Sequence, residues 1–199
     1  EVLDQLETKV SDEALMQSFQ SGDRHAMEEL FARYYRRVYG FAWRMVGHRE
    51  TAEDLVQETF LRICRAKASF RGQSRFGTWL YIIASNTCRD HLRRQKRRPE
   101  LPLAEDWEEA LTDYPLSSTG AVHVEREVLR REEGRRIRQA MEQLSPKERM
   151  ALILREYEGL DYKEIAEVMG SPLGSVKVLL YRARQHLKQR LQSELKDPS

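Results

Sequence analysis

Cysteine is scarce in this chain of 199 residues, which carries only Cys64 and Cys88. Two cysteines are too few for a disulfide scaffold, and these two lack the close spacing of a zinc site. No apolar stretch reaches the ~18 residues that a membrane-spanning helix needs, and no apolar run near the start resembles a signal peptide. We therefore expect a protein of the reducing cytoplasm with no membrane insertion, and we expect both cysteines to be buried on helix faces.

Catalytic motifs are absent as well. The chain has no glycine-rich phosphate loop, no nucleophile elbow and no His-Glu-x-x-His motif. Its histidines are scattered, with no cysteine or carboxylate at metal-site spacing; they are His25, His48, His91, His123 and His186. We therefore expect no enzymatic activity, no bound metal and no cofactor.

Charge is nearly balanced overall, at +2, but it is unevenly distributed. Residues 71–98 hold eight Lys or Arg and one acid, and residues 171–196 hold six Lys or Arg and one acid. Between these blocks, residues 99–125 hold seven acids and no Lys or Arg. Solvated helix faces normally mix both signs, so two separate basic blocks favour a polyanionic partner such as nucleic acid.

Apolar residues recur at helical spacing through the first half of the chain. One predicted helix ends at Gly47, and its buried face carries Met27, Leu30, Phe31, Tyr34, Val38, Phe41 and Met45. A second runs from Ala52 to Cys64, and a third runs from about Thr78 to Lys96. No alternating strand pattern occurs.

Helix signals also dominate the second half. Residues 145–148 read Ser-Pro-Lys-Glu, a strong helix start because Ser caps the helix, Pro suits its first position and Glu reaches back to the cap. This helix is predicted to stop at Gly159. Asp161 and Glu164 form a weaker capping pair for a short helix that Gly170 ends, and a longer basic helix follows.

Between the two helical halves, three prolines and a Ser-Ser-Thr-Gly run interrupt any sustained periodicity. This composition is typical of a linker, here an acidic and flexible one. The sequence therefore predicts an all-α protein of two small helical modules. The first module covers residues 1–98, the linker 99–130 and the second module 131–199.

The short helix, the glycine turn and the basic helix between Asp161 and Leu191 match a helix-turn-helix. In that unit the second helix enters the major groove of DNA. An ordinary helical hairpin with a solvated face is the alternative, and it explains the basic stripe less well. The residues predicted to face outward on the second helix are Gly174, Ser175, Lys177, Val178, Tyr181 and Arg182. Further along the helix, positive charge suited to phosphates continues at Arg184, Lys188 and Arg190.

A second candidate surface lies on the helix that begins near Thr78. Its polar face carries Asn86, Arg89, Asp90, Arg93, Arg94 and Arg97. Just before this helix, a glycine-bracketed loop combines aromatic and basic residues: Phe70, Arg71, Arg75 and Phe76. Such groups together bind unstacked bases, although each aromatic is also compatible with a place in the core.

The predicted helix from Ala52 to Cys64 has an outer face of different chemistry. Asp54, Gln57, Glu58 and Leu61 form an acidic and polar surface that is unsuited to DNA. A solvated face and a contact surface for a protein partner explain it equally well.

Three segments resemble the extracytoplasmic-function (ECF) sigma factors, the smallest class of the sigma-70 family. Residues 52–60, Ala-Glu-Asp-Leu-Val-Gln-Glu-Thr-Phe, resemble region 2.2. Residues 76–81 and 86–90, Phe-Gly-Thr-Trp-Leu-Tyr and Asn-Thr-Cys-Arg-Asp, resemble regions 2.3 and 2.4. Region 4 is resembled by residues 144–149, 162–166, 174–177 and 182–184.

The resemblance implies a promoter-specific initiation factor that works as a subunit of RNA polymerase. The face of Asp54, Gln57, Glu58 and Leu61 would bind the β′ clamp helices, the second module would bind the β flap, and an anti-sigma factor is an expected partner. The −10 element of promoter DNA would be read by Arg75, Phe76, Asn86, Arg89, Asp90, Arg93 and Arg94. The −35 duplex would be read by Gly174, Ser175, Lys177, Val178, Arg182 and Arg184.

A response-regulator-type activator is the alternative, since residues 144–191 also resemble its helix-turn-helix output domain. That alternative predicts a receiver domain upstream, with strands and a phosphoacceptor Asp. A pure protein-interaction module is a further alternative, and it leaves the two basic faces unexplained.

Overall fold

The computed structural model describes residues 10–97 and 134–196, with side chains as far as Ser193. All regular structure in these two ranges is helical. The linker predicted at residues 99–130 lies outside the described residues, as do the outermost residues of both predicted modules.

Four α-helices form the first module: α1 (Asp12–Gln20), α2 (Arg24–Val46), α3 (Arg49–Ala66) and α4 (Phe76–Arg97), with a 3₁₀ turn at Lys67–Ser69. Helices α2 to α4 are the three that the periodicity predicts. Helix α1 was not predicted. Leu15 and Met16 are its only buried residues, and two adjacent positions are too few to show the periodicity of a helix. The side chain of Ser11 caps α1 by accepting from the N–H of Ala14 at 3.2 Å.

The second module contains α5 over residues 134–142, α6 (Pro146–Glu156), α7 (Tyr162–Met169) and α8 (Leu173–Lys196). Both predicted capping boxes are confirmed, Ser145 with Glu148 at α6 and Asp161 with Glu164 at α7. Gly170 ends α7 with φ = 59°, a left-handed conformation that glycine adopts without strain. Helix α6 ends slightly before the predicted stop, at Glu156.

The apolar stripes of the helices meet in one contiguous core that includes side chains of both modules. Val38 and Phe41 of α2, Ile63 of α3 and Ile153 of α6 are all fully buried in it. Helix α2 contacts α6, and α4 contacts α7. Phe31 differs from its prediction, since it lies at the rim and is 40% exposed.

None of the described helices is long and apolar enough to cross a membrane. Within the same residues, no group of three His, Cys, Asp or Glu is placed to hold a metal ion. The two cysteines differ from each other. Cys88 is buried, and burial raises the pKa of its thiol to about 12. Cys64 is exposed on α3, so the prediction that both cysteines are buried is wrong for Cys64.

Candidate nucleic-acid interface

Helices α7 and α8 form a helix-turn-helix, with Gly170 at the start of the turn. One face of α8 packs against α6 and α7 and buries Val176, Leu180 and Ala183. The opposite face is open, and Tyr181, which is 65% exposed, stands on it. All the residues predicted to read the −35 duplex are exposed there: Gly174, Ser175, Lys177, Val178, Arg182 and Arg184.

Arg184 is already paired inside the module. Its Nη2 donates to Glu156 of α6 at 2.8 Å, and this hydrogen bond raises the pKa of Arg184 above its ordinary value. A DNA phosphate would have to share Arg184 with Glu156. Lys177 and Arg182 have no such ion pair among the described residues, so they are more available to DNA than Arg184.

The predicted −10 surface on α4 is only partly open. Asn86, Arg93 and Arg94 are exposed. Arg89 is half-buried, because its Nη2 donates to Asn86 Oδ1 at 2.6 Å and lies 3.5 Å from the carbonyl oxygen of Val168 in α7. Two predicted readers are therefore bonded to each other, and one of them also contacts the other module.

The loop before α4 differs from its prediction at Phe76, whose ring is fully buried. The ring packs edge-on against Tyr34 and Phe70, with centroids 5.3 and 6.0 Å away. The backbone N–H of Phe76, at the start of α4, donates to the carboxylate of Glu13 in α1 at 2.8 Å. Glu13 therefore caps α4. The ring is not accessible to a base, and Phe76 takes no part in the site proposed below. Arg75 is exposed beside it.

The acidic face of α3 connects to α4 through Arg62. Asp54 and Leu61 are exposed together with Gln57, and Glu58 is half-buried. Arg62 donates to Glu58 at 2.7 Å and to Asp90 of α4 at 3.1 Å, and its hydrogen bond lowers the pKa of Glu58. The sequence pattern does not indicate this link, since 28 residues separate Arg62 from Asp90.

A buried carboxylate lies where the two modules meet. Glu158 follows α6, and its side chain is only 4% exposed. Tyr81 of α4 and Arg37 of α2 both donate to its Oε2, the arginine at 3.3 Å, and Arg37 also donates to the backbone oxygen of Glu158 at 3.2 Å. Arg37, Tyr81 and Glu158 together form the Glu158 cluster.

Burial raises the pKa of Glu158 above its ordinary value, and the hydrogen bonds from Tyr81 and Arg37 do not cancel that shift. Burial and the neighbouring carboxylate also raise the pKa of Tyr81 well above its ordinary value. Sequence reasoning missed this cluster. An acidic residue beside Gly159 is typical of a solvated turn, and nothing in the local pattern indicates that Arg37 and Tyr81 lie against it.

Other polar contacts join the modules around the cluster. Thr78 of α4 donates to Glu164 of α7 at 3.1 Å, and Arg149 of α6 donates to the carbonyl oxygen of Met45 in α2 at 2.9 Å. On the same side of α4, Ser85 is fully buried, and its Oγ has no hydrogen-bond partner in the described part of the chain. The contact between the modules therefore contains polar groups of both modules beside the apolar core that they share.

Comparison with known protein families matches both modules. Residues 30–98 match the model of sigma-70 region 2, and residues 134–187 match the model of sigma-70 region 4. The RNA polymerase sigma-H factor of Pseudomonas aeruginosa is 38% identical over 192 residues, which cover 96% of this chain and 98% of the relative. The ECF RNA polymerase sigma-E factor of Haemophilus influenzae is 39% identical over 186 residues, covering 92% and 97%.

Two solved structures share the fold. The structure of CnrH in complex with the cytosolic domain of CnrY has a TM-score of 0.68 at 23% identity and covers 92% of this chain and 98% of that one. The sigma factor RpoE in complex with the anti-sigma factor NepR from Bartonella quintana has a TM-score of 0.63 at 22% identity, covering 83% and 96%.

Two helical modules, the second built on a helix-turn-helix, define a transcription initiation factor of the sigma-70 type. Its close similarity to the sigma-H and sigma-E factors along nearly the whole chain narrows this class further. The chain belongs to the ECF family of RNA polymerase sigma factors. The response-regulator alternative predicted strands upstream of the helix-turn-helix, and described residues 10–97 contain none, so that alternative is not favoured.

Proposed function

We propose that this sigma factor directs core RNA polymerase to promoters by reading two DNA elements with two modules, residues 1–98 and 131–199, joined by residues 99–130. The observation that carries the proposal is the open basic face of α8 on a capped helix-turn-helix. Phosphate contacts supply affinity that depends on salt, and base contacts supply sequence preference.

The second module reads the −35 element as duplex DNA. Lys177 and Arg182 suit the acceptors of guanine, and the exposed apolar side chains of Val178 and Tyr181 suit thymine methyl groups. Backbone N–H groups at Gly174 and Ser175, near the start of α8, favour a phosphate because the helix dipole is positive there. Arg184 binds a phosphate when it is released from Glu156.

The first module reads the −10 element after the strands separate. The amide of Asn86 pairs with the edge of an extruded base, and Arg75, Arg89, Arg93 and Arg94 bind the adjoining phosphates. Extruding a base costs a few kcal/mol, which these contacts offset. Asp90 orients the helix through its bond to Arg62 of α3 rather than by contacting DNA, since a carboxylate repels phosphate.

Polymerase binding belongs to the remaining surface of the first module. Asp54, Gln57 and Glu58 offer charge and hydrogen bonds to the β′ clamp helices, and Leu61, 51% exposed, offers apolar contact. The second module binds the β flap. An anti-sigma factor is a further expected partner, as the RpoE complex with NepR illustrates for a protein of the same fold.

The protein acts by binding alone, in the cytoplasm, with no enzymatic step, metal or cofactor. RNA synthesis is the activity of the complete polymerase. The contribution of this protein is to place that enzyme on a promoter and to hold the separated strands.

Run-off transcription over a promoter library tests the proposal, with bacterial core RNA polymerase in the presence and absence of the full chain. We expect transcripts that require the protein and that start downstream of two spaced elements. If the chain binds DNA while core polymerase remains silent on every promoter, the proposal is wrong and an independent activator becomes the better explanation.

A further inference from the structure

The loop that leads into α4 has no hydrogen-bonded backbone structure of its own. Among the described residues, no backbone N–H of residues 71–75 donates to another backbone group. The two ends of the loop are buried, through the rings of Phe70 and Phe76. Between these ends, Arg71 and Arg75 are exposed. The position of the two arginines must therefore be defined by contacts from outside the loop.

Helix α1 supplies hydrogen bonds at both ends of this loop. At its entry, Nε2 of Gln20 donates to the carbonyl oxygens of Lys67 at 2.7 Å and of Phe70 at 2.8 Å. At its exit, the carboxylate of Glu13 accepts from the backbone N–H of Phe76 at 2.8 Å. The first N–H groups of a helix have no acceptor within that helix, so Glu13 satisfies a donor that nothing in α4 can satisfy.

The spacing of these two side chains on α1 determines the shape of the loop. Glu13 and Gln20 are about two helical turns apart, so they lie on one face of α1 and about 10 Å from each other along its axis. The rings of Phe70 and Phe76 are in contact, with centroids 6.0 Å apart, so the ends of the loop are close together. A chain of this length can extend to about 20 Å. Residues 71–75 must therefore arch away from α1, and we call them the arch.

Helix α1 is itself fixed to the rest of the first module. The carboxylate of Asp12 accepts from Arg33 and from Tyr34 of α2, both at 2.6 Å. Leu15 and Met16 of α1 are buried in the core. The hydrogen bonds from α1 to the loop therefore start from a helix that α2 holds in place.

We propose that Glu13 and Gln20 are positioning residues for −10 reading, because together they fix the arch and the start of α4. The inference rests on the proposed function for its consequence in transcription, and it brings Arg71 to DNA beside Arg75. Side chains that bind a ligand must be held within about 0.5 Å of their productive position by a supporting shell. Glu13 and Gln20 form that shell without contacting DNA, since a carboxylate repels phosphate and the amide of Gln20 already donates to two carbonyl oxygens.

Hydrogen exchange on the full chain, followed by NMR, tests whether the contact exists. In the unaltered protein, Glu13 accepts from the N–H of Phe76, and no described group accepts from the N–H of Ser74. After correction for intrinsic rates, Phe76 should exchange at least about tenfold more slowly than Ser74, because hydrogen bonds to charged groups are strong. Glu13→Ala should remove this difference. Glu13→Gln keeps an acceptor oxygen and should preserve it.

Discrimination between −10 elements is the second readout. Permanganate reactivity follows open-complex formation on a promoter with the preferred −10 element and on one with a single changed base. Glu13→Ala combined with Gln20→Met should lower the ratio of the two rates by about fivefold or more, since one displaced base contact is worth that much. Methionine is as long as glutamine but has no N–H donor. Binding to −35 duplex should not change.

Matched controls separate positioning from stability. Gln17→Met makes the same replacement at an exposed position of α1, and Glu28→Ala removes a carboxylate at an exposed position of α2. Both should keep the −10 discrimination of the unaltered chain, and so should Glu13→Gln. If the double variant fails to fold by circular dichroism, Gln20→Met alone replaces it, with Gln17→Met as its control.

The outcomes distinguish the contact from its role. Equal exchange of Phe76 and Ser74 in the unaltered chain overturns the contact. A double variant that loses stability in urea but keeps its −10 discrimination overturns the positioning role, as does an equal loss of discrimination in the two controls. Silence of the unaltered chain on every promoter sinks the proposed function instead, and hydrogen exchange still decides whether α1 holds the loop.

Discussion

Asn86 and Arg89 are bonded to each other, so a change at either residue acts on both. The side-chain oxygen of Asn86 accepts this hydrogen bond from Nη2 of Arg89 at 2.6 Å. In contact with DNA the pair would exchange partners, with Arg89 moving to a phosphate and Asn86 to a base. At the scale of single residues, the two proposed −10 readers must therefore release each other before both can contact DNA.

Asn86→Ala should slow open-complex formation about tenfold or more, because one good base contact is worth that much discrimination. Binding to −35 duplex alone should be unchanged, since Asn86 lies on the other module. Potassium permanganate footprinting and duplex binding measure the two effects. Gln95→Ala, at an exposed position further along α4, is the control. An equal loss in both assays would remove Asn86 from −10 reading.

Lys177→Ala combined with Arg182→Ala should abolish −35 discrimination. These are exposed cations in the first half of α8, where a recognition helix meets base edges, and neither has an ion pair among the described residues. Each lost phosphate contact lowers the slope of log affinity against log salt by about 0.9. A salt titration of −35 duplex binding therefore also counts how many of the two contacts were to phosphate. Unchanged discrimination in the double variant would exclude this face of α8.

At the scale of helices, the sequence predicted the helix ends that depend only on neighbouring residues. The capping boxes at Ser145 and Asp161 and the glycine stops at Gly47 and Gly170 were readable because each depends on residues within one turn. Helix α1 could not be predicted from its own sequence, because contacts with other helices stabilise it. Asp12 accepts hydrogen bonds from Tyr34 and Arg33 of α2, and Glu13 caps α4. Contacts at long sequence separation, the Glu158 cluster above all, leave no trace in a periodic pattern.

The capping box of α6 gives a prediction at this scale. Ser145→Ala removes the acceptor for the N–H of Glu148, and it should lower the free energy of unfolding by about 1 kcal/mol. Urea denaturation of the full chain measures the change. Ser193→Ala, near the end of α8, is the control and should change stability by less than about 0.5 kcal/mol. Equal effects of the two changes would show that the box adds nothing.

At the scale of the whole molecule, the stability of the fold should depend on pH through Glu158. Glu158 faces Arg37 and Arg44 of α2 and Tyr81 of α4, and burial raises its pKa in the folded chain. A group whose pKa is higher in the folded state stabilises that state when it is protonated. The contribution is present in acid and is lost as pH rises through the raised pKa, so Glu158 should favour folding more at low pH.

Urea denaturation of the full chain between about pH 5 and pH 8 checks this prediction. The free energy of unfolding of the unaltered chain should fall with pH across that window relative to that of Glu158→Gln, because the glutamine has no proton to lose. A parallel fall in the glutamine variant would assign the pH dependence to other groups.

Arg62 has a practical consequence for engineering. It is the shared partner of Glu58, on the proposed polymerase-binding surface, and Asp90, on the proposed −10 helix. Residues 58, 62 and 90 therefore form one hydrogen-bonded unit that links α3 to α4. A hybrid sigma factor that takes α3 from one relative and α4 from another should take residues 58, 62 and 90 from the same relative. Otherwise the carboxylate at position 58 or 90 would lose its arginine partner.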